Sequence, residues 1–340
     1  MNERVVECNA AAPCPGGPAR LLAAVAVVLA GLAGCGDPQA VDEGPEALPD
    51  SPTSATEAPT SGPHTTELLE PEPFAPGLLP PHLEQYRVTF TPNGDTAYVG
   101  LGEEFFPLSR QATIYRIVRE GGEWGGLEVA PFSGVWPDID PFIDPEGGFL
   151  YFSSIRPGPY GETEAIDLWR VQRRGLEWGR PERLPVSTSE DELFPSVDRE
   201  GRLYFARPLP DRQGEWGIWV AEADDGGSVT PRPLGPEVNR PGAWNFNPEI
   251  SSDGARLLFT RLIPDEAAAT GFGRIHLARR TDLEWEEARP LSRVVNSEQD
   301  EFHPSLSPDG RVLYFVRRDP FAEEPRGRLF SVPFEAVMPD

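Results

Sequence analysis

Lysine is missing from this sequence. Its 30 basic residues are all arginines, and 55 acidic residues outnumber them to give a formal net charge of −25. A surface this acidic repels nucleic acid and anionic lipid headgroups, so neither is expected as a partner. It favours cationic partners or divalent metal ions, although solubility alone is an alternative explanation.

Cysteine and histidine are scarce. The three cysteines, Cys8, Cys14 and Cys35, lie within the first 35 residues, so the rest of the chain forms no disulfide and offers no thiolate chemistry. The four histidines are scattered, and their spacing predicts no zinc site. A Gly-x-Ser-x-Gly motif and a phosphate-binding loop are also missing, so the sequence predicts no cofactor and no nucleophilic serine or cysteine enzyme.

Proline and glycine are abundant, with 40 and 34 residues. These numbers exclude a helical protein and are typical either of disorder or of many short strands joined by turns. Both interpretations apply, to different parts of the chain.

One long apolar run occurs, and it lies near the N-terminus. Residues Leu21–Gly34 carry no charge, and at ~1.5 Å per helical residue their 14 positions are too few to span a bilayer core of ~30 Å. Arg20 precedes the run, as in a signal peptide. The run ends in Leu-Ala-Gly-Cys35, which resembles the bacterial lipobox. The resemblance implies a signal peptide over residues 1–34 and acylation of Cys35.

A tether is expected between this anchor and the folded domain. Residues 35–66 are rich in proline, serine, threonine and glutamate and contain no aromatic residue, so they bury too little apolar surface to offset the entropy of ordering. Gly36 follows the cysteine where an aspartate would retain a lipoprotein in the inner membrane. We therefore expect a protein anchored by its lipid at the bacterial cell envelope, at the outer membrane and facing the periplasm.

Residues 67–340 contain five copies of one unit. Each is centred on an acidic residue or asparagine followed by glycine, a pair that marks a hairpin turn between apolar runs. The pairs recur every 53–56 residues, at Asn93-Gly94, Glu146-Gly147, Glu200-Gly201, Asp253-Gly254 and Asp309-Gly310. Four strand-like segments per unit are typical of a β-propeller blade. The sequence thus predicts an all-β fold, a propeller of five four-stranded blades.

The last unit has no fourth strand of its own. In the three preceding units this strand follows the third-strand aromatic or histidine by 15 residues, and the same distance from Phe330 passes Asp340. Residues 72–76, upstream of the first unit, resemble the other fourth strands. We expect this N-terminal segment to complete the last blade, which closes the ring and covers its edges.

Several of the units resemble those of a known family. The segment Leu291–Phe315, with its Asn-Ser pair, acidic residues, Asp309-Gly310 turn and Leu-Tyr-Phe strand, is similar to the TolB-type, WD-like propeller repeat. Leu234–Phe259 and, more loosely, Leu184–Phe205 share the pattern. The resemblance implies a periplasmic propeller that binds proteins of the cell envelope. TolB differs in having six blades and an N-terminal α/β domain, and likeness of fold alone does not assign function.

Two columns of residues line the first strand of each unit, between apolar positions that alternate as in a half-buried strand. The first column is polar throughout and consists of Gln85, Asp138, Glu192, Asn245 and Glu301. The second differs in kind from unit to unit and consists of Arg87, Asp140, Phe194, Asn247 and His303. If this strand is innermost in its blade, both columns converge near one mouth of the central channel.

Alternatives remain for both columns. The first could bind Ca²⁺ or a ligand through a ring of oxygens, or it could tie each blade to its neighbour by hydrogen bonds to the backbone. The second is a candidate binding surface, or Arg87 and Asp140 could pair across the ring. Because packing does not dictate this column, we expect replacement of Asp140, Asn247 and His303 by alanine to leave the fold nearly intact.

The sequence therefore predicts a binding module for an envelope protein or small ligand rather than an enzyme. The alternative is a five-bladed glycoside hydrolase or carbohydrate-binding protein, in which paired acids of the two columns would act as general acid and as base or nucleophile. Trp136 and Trp244 would then be platforms for sugar rings. Repetition explains equivalent acids more simply than catalysis does, which favours the binding module.

Overall fold

The computed structural model describes residues 69–339, except 159–164, 176, 213, 224–228, 265–270 and 283. The predicted signal peptide, Cys35 and the tether lie outside this range. No helix in the described ranges is long and apolar enough to cross a membrane.

Five antiparallel sheets follow one another along the chain and form the blades. The first strand, β1 (Glu72–Pro73), belongs to the last blade. Blade 1 contains β2 (Glu84–Phe90), β3 (Thr96–Gly102), β4 (Thr113–Glu120) and β5 (Glu123–Val129). Blade 2 contains β6 (Asp138–Ile143), β7 (Phe149–Ser154), β8 (Asp167–Arg174) and β10 (Glu182–Arg183), and the short β9 (Glu177–Trp178) also pairs with β8.

The remaining blades repeat this order. Blade 3 contains β11 (Leu193–Val197), β12 (Leu203–Pro208), β13 (Trp216–Ala221) and β14 (Arg232–Pro233). Blade 4 contains β15 (Trp244–Ile250), β16 (Arg256–Leu262), β17 (Gly273–Thr281) and β19 (Arg289–Pro290), with β18 (Glu284–Trp285) also paired to β17. Blade 5 contains β20 (Asp300–Leu306), β21 (Val312–Arg318), β22 (Gly327–Pro333) and β1. A short helix, α1 (Phe106–Ser109), follows β3, and a 3-10 turn covers Phe334–Val337. The prediction of five four-stranded blades is confirmed.

The repeated turns join the first and second strands of each blade. Their glycines have positive φ angles, which residues with a Cβ rarely adopt. These angles are 71° at Gly94, 71° at Gly147, 81° at Gly201, 70° at Gly254 and 68° at Gly310. The dipeptides therefore set the repeat because the backbone of each hairpin requires glycine at this point.

The N-terminal strand closes the ring, as predicted. Strand β1 runs antiparallel to β22, with Glu72 opposite Ser331. The N–H of Phe74 donates to the carbonyl oxygen of Leu329 at 2.9 Å, which is the bond that Leu234 makes with Ile218 in blade 3. The buried ring of Phe74 then packs against aromatic side chains of blades 1 and 5.

The hydrophobic core lies between neighbouring blades. Four phenylalanines at equivalent second-strand positions are fully buried there, namely Phe152, Phe205, Phe259 and Phe315. Burial of one such side chain contributes roughly 1.5–3 kcal/mol. The innermost strands β2, β6, β11, β15 and β20 contact one another in a closed ring around the axis.

Candidate functional site

A β-bulge interrupts each innermost strand at the second column. The ladder changes register there in all five blades. In four of them the bulged residue has positive φ, at 58° in Asp140, 62° in Phe194, 52° in Asn247 and 50° in His303. Each of these four residues precedes a proline, which has no N–H to offer the ladder and is tolerated at a bulge. The bulges bring these side chains together at the axis.

The first column forms ion pairs and hydrogen bonds within the wall of the ring. Each of its acids pairs with an arginine of the second strand, or just after it, in the same blade: Asp138 with Arg156 (2.6 Å), Glu192 with Arg207 (3.0 Å) and Glu301 with Arg317 (3.1 Å). These arginines also donate to backbone carbonyls of the connections that lead into their blades, at Phe132, Val186 and Val294. This arrangement favours the role of tying neighbouring blades together.

The ring of oxygens does not gather into a metal site. Within the described ranges, no group of three or more His, Cys, Asp or Glu side chains is placed to hold a metal ion. The geometry of these residues therefore does not support the calcium hypothesis. Burial also raises the pKa of Glu192 to about 6, and it raises the pKa values of Asp138 and Glu301.

Arg87 crosses the channel. Its guanidinium donates to the carbonyl oxygens of Pro195 (2.8 Å) and Pro248 (3.3 Å), on two opposite blades, and forms an ion pair with Glu249. Glu249 in turn accepts a hydrogen bond from the N–H of Leu306 at 2.9 Å. The alternative that the sequence offers, a pair between Arg87 and Asp140, is not formed, and the sequence does not single out Glu249 as a site residue.

Asp140, Asn247 and His303 meet on the axis. His303 Nδ1 lies 3.1 Å from Asn247 Nδ2 and 3.3 Å from Asp140 Oδ1. The backbone N–H of His303 donates to Asn247 Oδ1, which directs the amide nitrogen of Asn247 toward the imidazole. In the tautomer with its proton on Nε2, the neutral His303 ring accepts a hydrogen bond from this amide nitrogen at Nδ1.

Burial sets the charge of this cluster. Burial raises the pKa of Asp140 to about 8, against the opposing effect of Arg87. Burial, reinforced by the positive charge of Arg87, lowers the pKa of His303 to about 3. Both side chains are therefore predominantly neutral at pH 7, which avoids the free-energy cost of burying two charges.

An aromatic pocket lies above this cluster, at one mouth of the channel. Its cavity volume is about 130 Å³, and Asn247 and His303 are part of its lining. Aromatic side chains dominate the walls, among them Tyr86, Phe105, Phe194, Trp216, Trp244 and Phe246. Tyr86 is fixed by two hydrogen bonds, since its hydroxyl donates to the carbonyl of Glu104 and accepts from the N–H of Phe106. These bonds fix the loop of α1 at the rim of the pocket.

The structure changes the expectation about the second column. Arg87, Asp140, Asn247 and His303 are each at most 4% exposed, so they lie within the channel and not on a solvated surface. Their replacement by alanine would remove buried partners and leave cavities, and the fold is not expected to remain unaffected. Of the two predicted sugar platforms, Trp244 lines the pocket, whereas Trp136 is 44% exposed and does not.

Comparisons with known proteins concern the fold. No family model matches the chain, and no curated protein matches it. A putative TolB from Agrobacterium tumefaciens is 18% identical, with a TM-score of 0.45 over 71% of this chain and 73% of that one. An α-L-arabinofuranosidase from Lactobacillus brevis is 14% identical, with a TM-score of 0.48 over 76% and 93%. A glycoside hydrolase is 11% identical, with a TM-score of 0.51 over 77% and 90%.

The chain is a five-bladed β-propeller. At these identities the likeness does not extend to activity. The propeller must therefore be assigned a function from its own site.

Proposed function

We propose that the propeller is a ligand-binding module of the bacterial cell envelope, anchored through a lipid on Cys35. The aromatic pocket supports this proposal, because it is a concave, largely apolar site with a few polar groups at its base. Sites of this composition bind small ligands or the apolar side chains of a partner.

The composition of the pocket argues against glycoside hydrolysis. A glycosidase needs two carboxyl groups on either side of the scissile bond, roughly 5–10 Å apart. Among the described residues that line the pocket, Asp300 is the one carboxylate. The acids of the first column are held in ion pairs with arginines, which binds them into the wall.

The position in the envelope rests on the N-terminal sequence and on the TolB-type repeats. Small residues before Cys35 match the lipobox, and an acidic chain that avoids anionic lipid is suited to a protein held off the membrane by a tether. The partner is then an envelope protein or a small molecule.

Binding at the pocket can be tested by thermal shift of the full-length chain with a library of small apolar compounds. Compounds that raise the melting temperature of the wild type should lose that effect with Phe246→Ala, which opens a wall of the pocket. Phe149→Ala is the matched control, since Phe149 begins β7 and does not line the pocket. If hits respond equally to both variants, the site is wrongly placed. Turnover of glycans that Asp300→Asn abolishes would instead establish a glycosidase.

A further inference from the structure

Arg318 is a buried cation without a hydrogen-bonded partner. It lies at the end of β21, is 8% exposed and lines the aromatic pocket. In the described part of the chain, no group accepts a hydrogen bond from its guanidinium, and no carboxylate lies within 4.0 Å of it. Its Nε is fully buried and unpaired, and the guanidinium lies 5.0 Å from the centre of the Phe105 ring. Arginines this deeply buried are usually paired, because an uncompensated charge in the interior is costly.

Two carboxylates near the end of β21 accept hydrogen bonds from backbone N–H groups and not from Arg318. Asp300 is the cross-strand neighbour of Arg318 in blade 5, but its Oδ1 accepts a hydrogen bond from the N–H of Gly273 at 2.8 Å. Glu84 accepts a hydrogen bond from the N–H of Gly327 at 2.6 Å. Burial raises the pKa of Asp300 to about 6 and the charge of Arg318 opposes that rise, so Asp300 offsets part of the charge of Arg318. Neither acid, however, accepts a hydrogen bond from the guanidinium in the described part of the chain. Because Arg318 lines the pocket, a ligand bound there can supply the acceptor that these two acids do not supply.

A second donor faces the same space. In the tautomer in which Nδ1 of His303 accepts from Asn247, the neutral imidazole has its proton on Nε2, and this ring lines the pocket. The lining of the pocket thus combines aromatic walls with a guanidinium and an imidazole N–H as hydrogen-bond donors. Its volume of about 130 Å³ approaches the ~150 Å³ of an engineered cavity that holds benzene.

We propose that the aromatic pocket binds an aryl or bulky apolar group that carries a carboxylate, with the carboxylate on Arg318 and the apolar group between the aromatic walls. Arginine is suited to this role because its planar fork matches a carboxylate and such charge-assisted hydrogen bonds are about twice as strong as neutral ones. The chemistry is the same for a free arylalkyl carboxylate and for the C-terminal carboxylate of a peptide that ends in an aromatic residue. This inference rests on the proposed function and specifies its ligand.

The test compares three compounds that differ only in the end group. Titration calorimetry of the full-length chain with 3-phenylpropionate, 3-phenylpropanol and 3-phenylpropylamine should show the carboxylate binding at least ~10-fold tighter than the alcohol, and the amine binding weakest. Arg318→Gln should reduce the affinity for the carboxylate to that for the alcohol. Arg311→Gln is the matched control, because the side chain of Arg311 is 84% exposed, and it should leave the affinity unchanged.

The outcomes separate this inference from the proposed function. Equal affinity for the acid and the alcohol would overturn the carboxylate assignment and leave the apolar binding site standing. Failure of all three compounds, and of N-acetyl-glycyl-phenylalanine, to bind would reject both. The comparison of the three end groups in the wild type decides the question even if Arg318→Gln does not fold. Tighter binding of the acetylated dipeptide than of 3-phenylpropionate, with loss on amidation of its carboxyl group, would assign a peptide C-terminus as the source.

Discussion

Replacing Asp140 with asparagine is expected to stabilise the propeller at neutral and higher pH. Asp140 is fully buried, neither of its oxygens has a hydrogen-bond donor among the described residues, and burial raises its pKa from 3.8 to about 8. Folding at pH 7 must therefore bring a proton to this carboxyl group. Asparagine has nearly the same shape, carries no charge at any pH and tolerates the positive φ of 58° at this position.

The size and sign of the effect follow from the pKa shift. The folded state binds one more proton than the unfolded chain between about pH 4 and pH 8, so the wild type loses stability as pH rises through that window. At about 1.4 kcal/mol per pH unit, the penalty accumulated by pH 7 has an upper bound of about 4 kcal/mol. The lowered pKa of His303 acts in the opposite direction below pH 6.5, and largely cancels when the two proteins are compared at the same pH.

Urea denaturation of the full chain, followed by tryptophan fluorescence at pH 4, 6 and 8, measures this difference. We expect Asp140→Asn to gain at least ~1 kcal/mol at pH 8, beyond the ±0.5 kcal/mol of a neutral substitution, and little at pH 4. Asp138→Asn is the matched control two residues away, and it should lose roughly 3 kcal/mol because it removes the ion pair with Arg156. Equal or lower stability of Asp140→Asn at pH 8 would show that the folded state holds an ionised, well-solvated carboxylate, and the reasoning would fail.

Three further predictions concern the anchor, the closure and the channel. Cys35→Ala should move the protein from the membrane fraction to the soluble fraction, and unchanged partitioning would reject lipidation. A chain that starts at Thr66 should melt cooperatively, whereas one that starts at His82 lacks β1 and should melt much lower or aggregate; equal melting temperatures would refute closure. Glu249→Gln should destabilise the fold by roughly 3 kcal/mol in chemical denaturation, because it leaves Arg87 buried without its counter-charge, and a neutral result would show that water or the Pro195 and Pro248 carbonyls suffice.

The blades could be predicted from the sequence because their determinants are local and repeated. Each turn requires its glycine, and each aromatic column must pack in the same way, so five copies of the signal reinforce one another. Closure was predictable for a related reason, since Phe74 repeats the position of Leu234 in the blade order. The spacing of the repeated turns and aromatic positions is therefore enough to predict the five blades and their closure.

The site was only partly predictable, because it depends on contacts across the ring. Nothing in the repeat indicates that Arg87 reaches two opposite blades, and the one carboxylate at the position after the prolines, Glu249, was the available signal. The prolines of the innermost strands also marked the bulges that bury the second column. Arg318 could not be singled out from the sequence, because its pattern does not show that the cross-strand neighbour Asp300 accepts a hydrogen bond from Gly273 and not from Arg318.

The two-residue strand β1 also determines the order in which the molecule can assemble. Ser331 and Glu72, which contact each other across the closure, are 259 positions apart. The chain between them must be ordered before this contact can stabilise the fold, so the closure of the ring is a late event in folding. Because a chain is synthesised from its N-terminus, Glu72 is made long before the strand it pairs with, and the edge of β22 stays open until the two meet. During that interval the edge can pair with a neighbouring chain instead, so closure of the ring competes with association between chains.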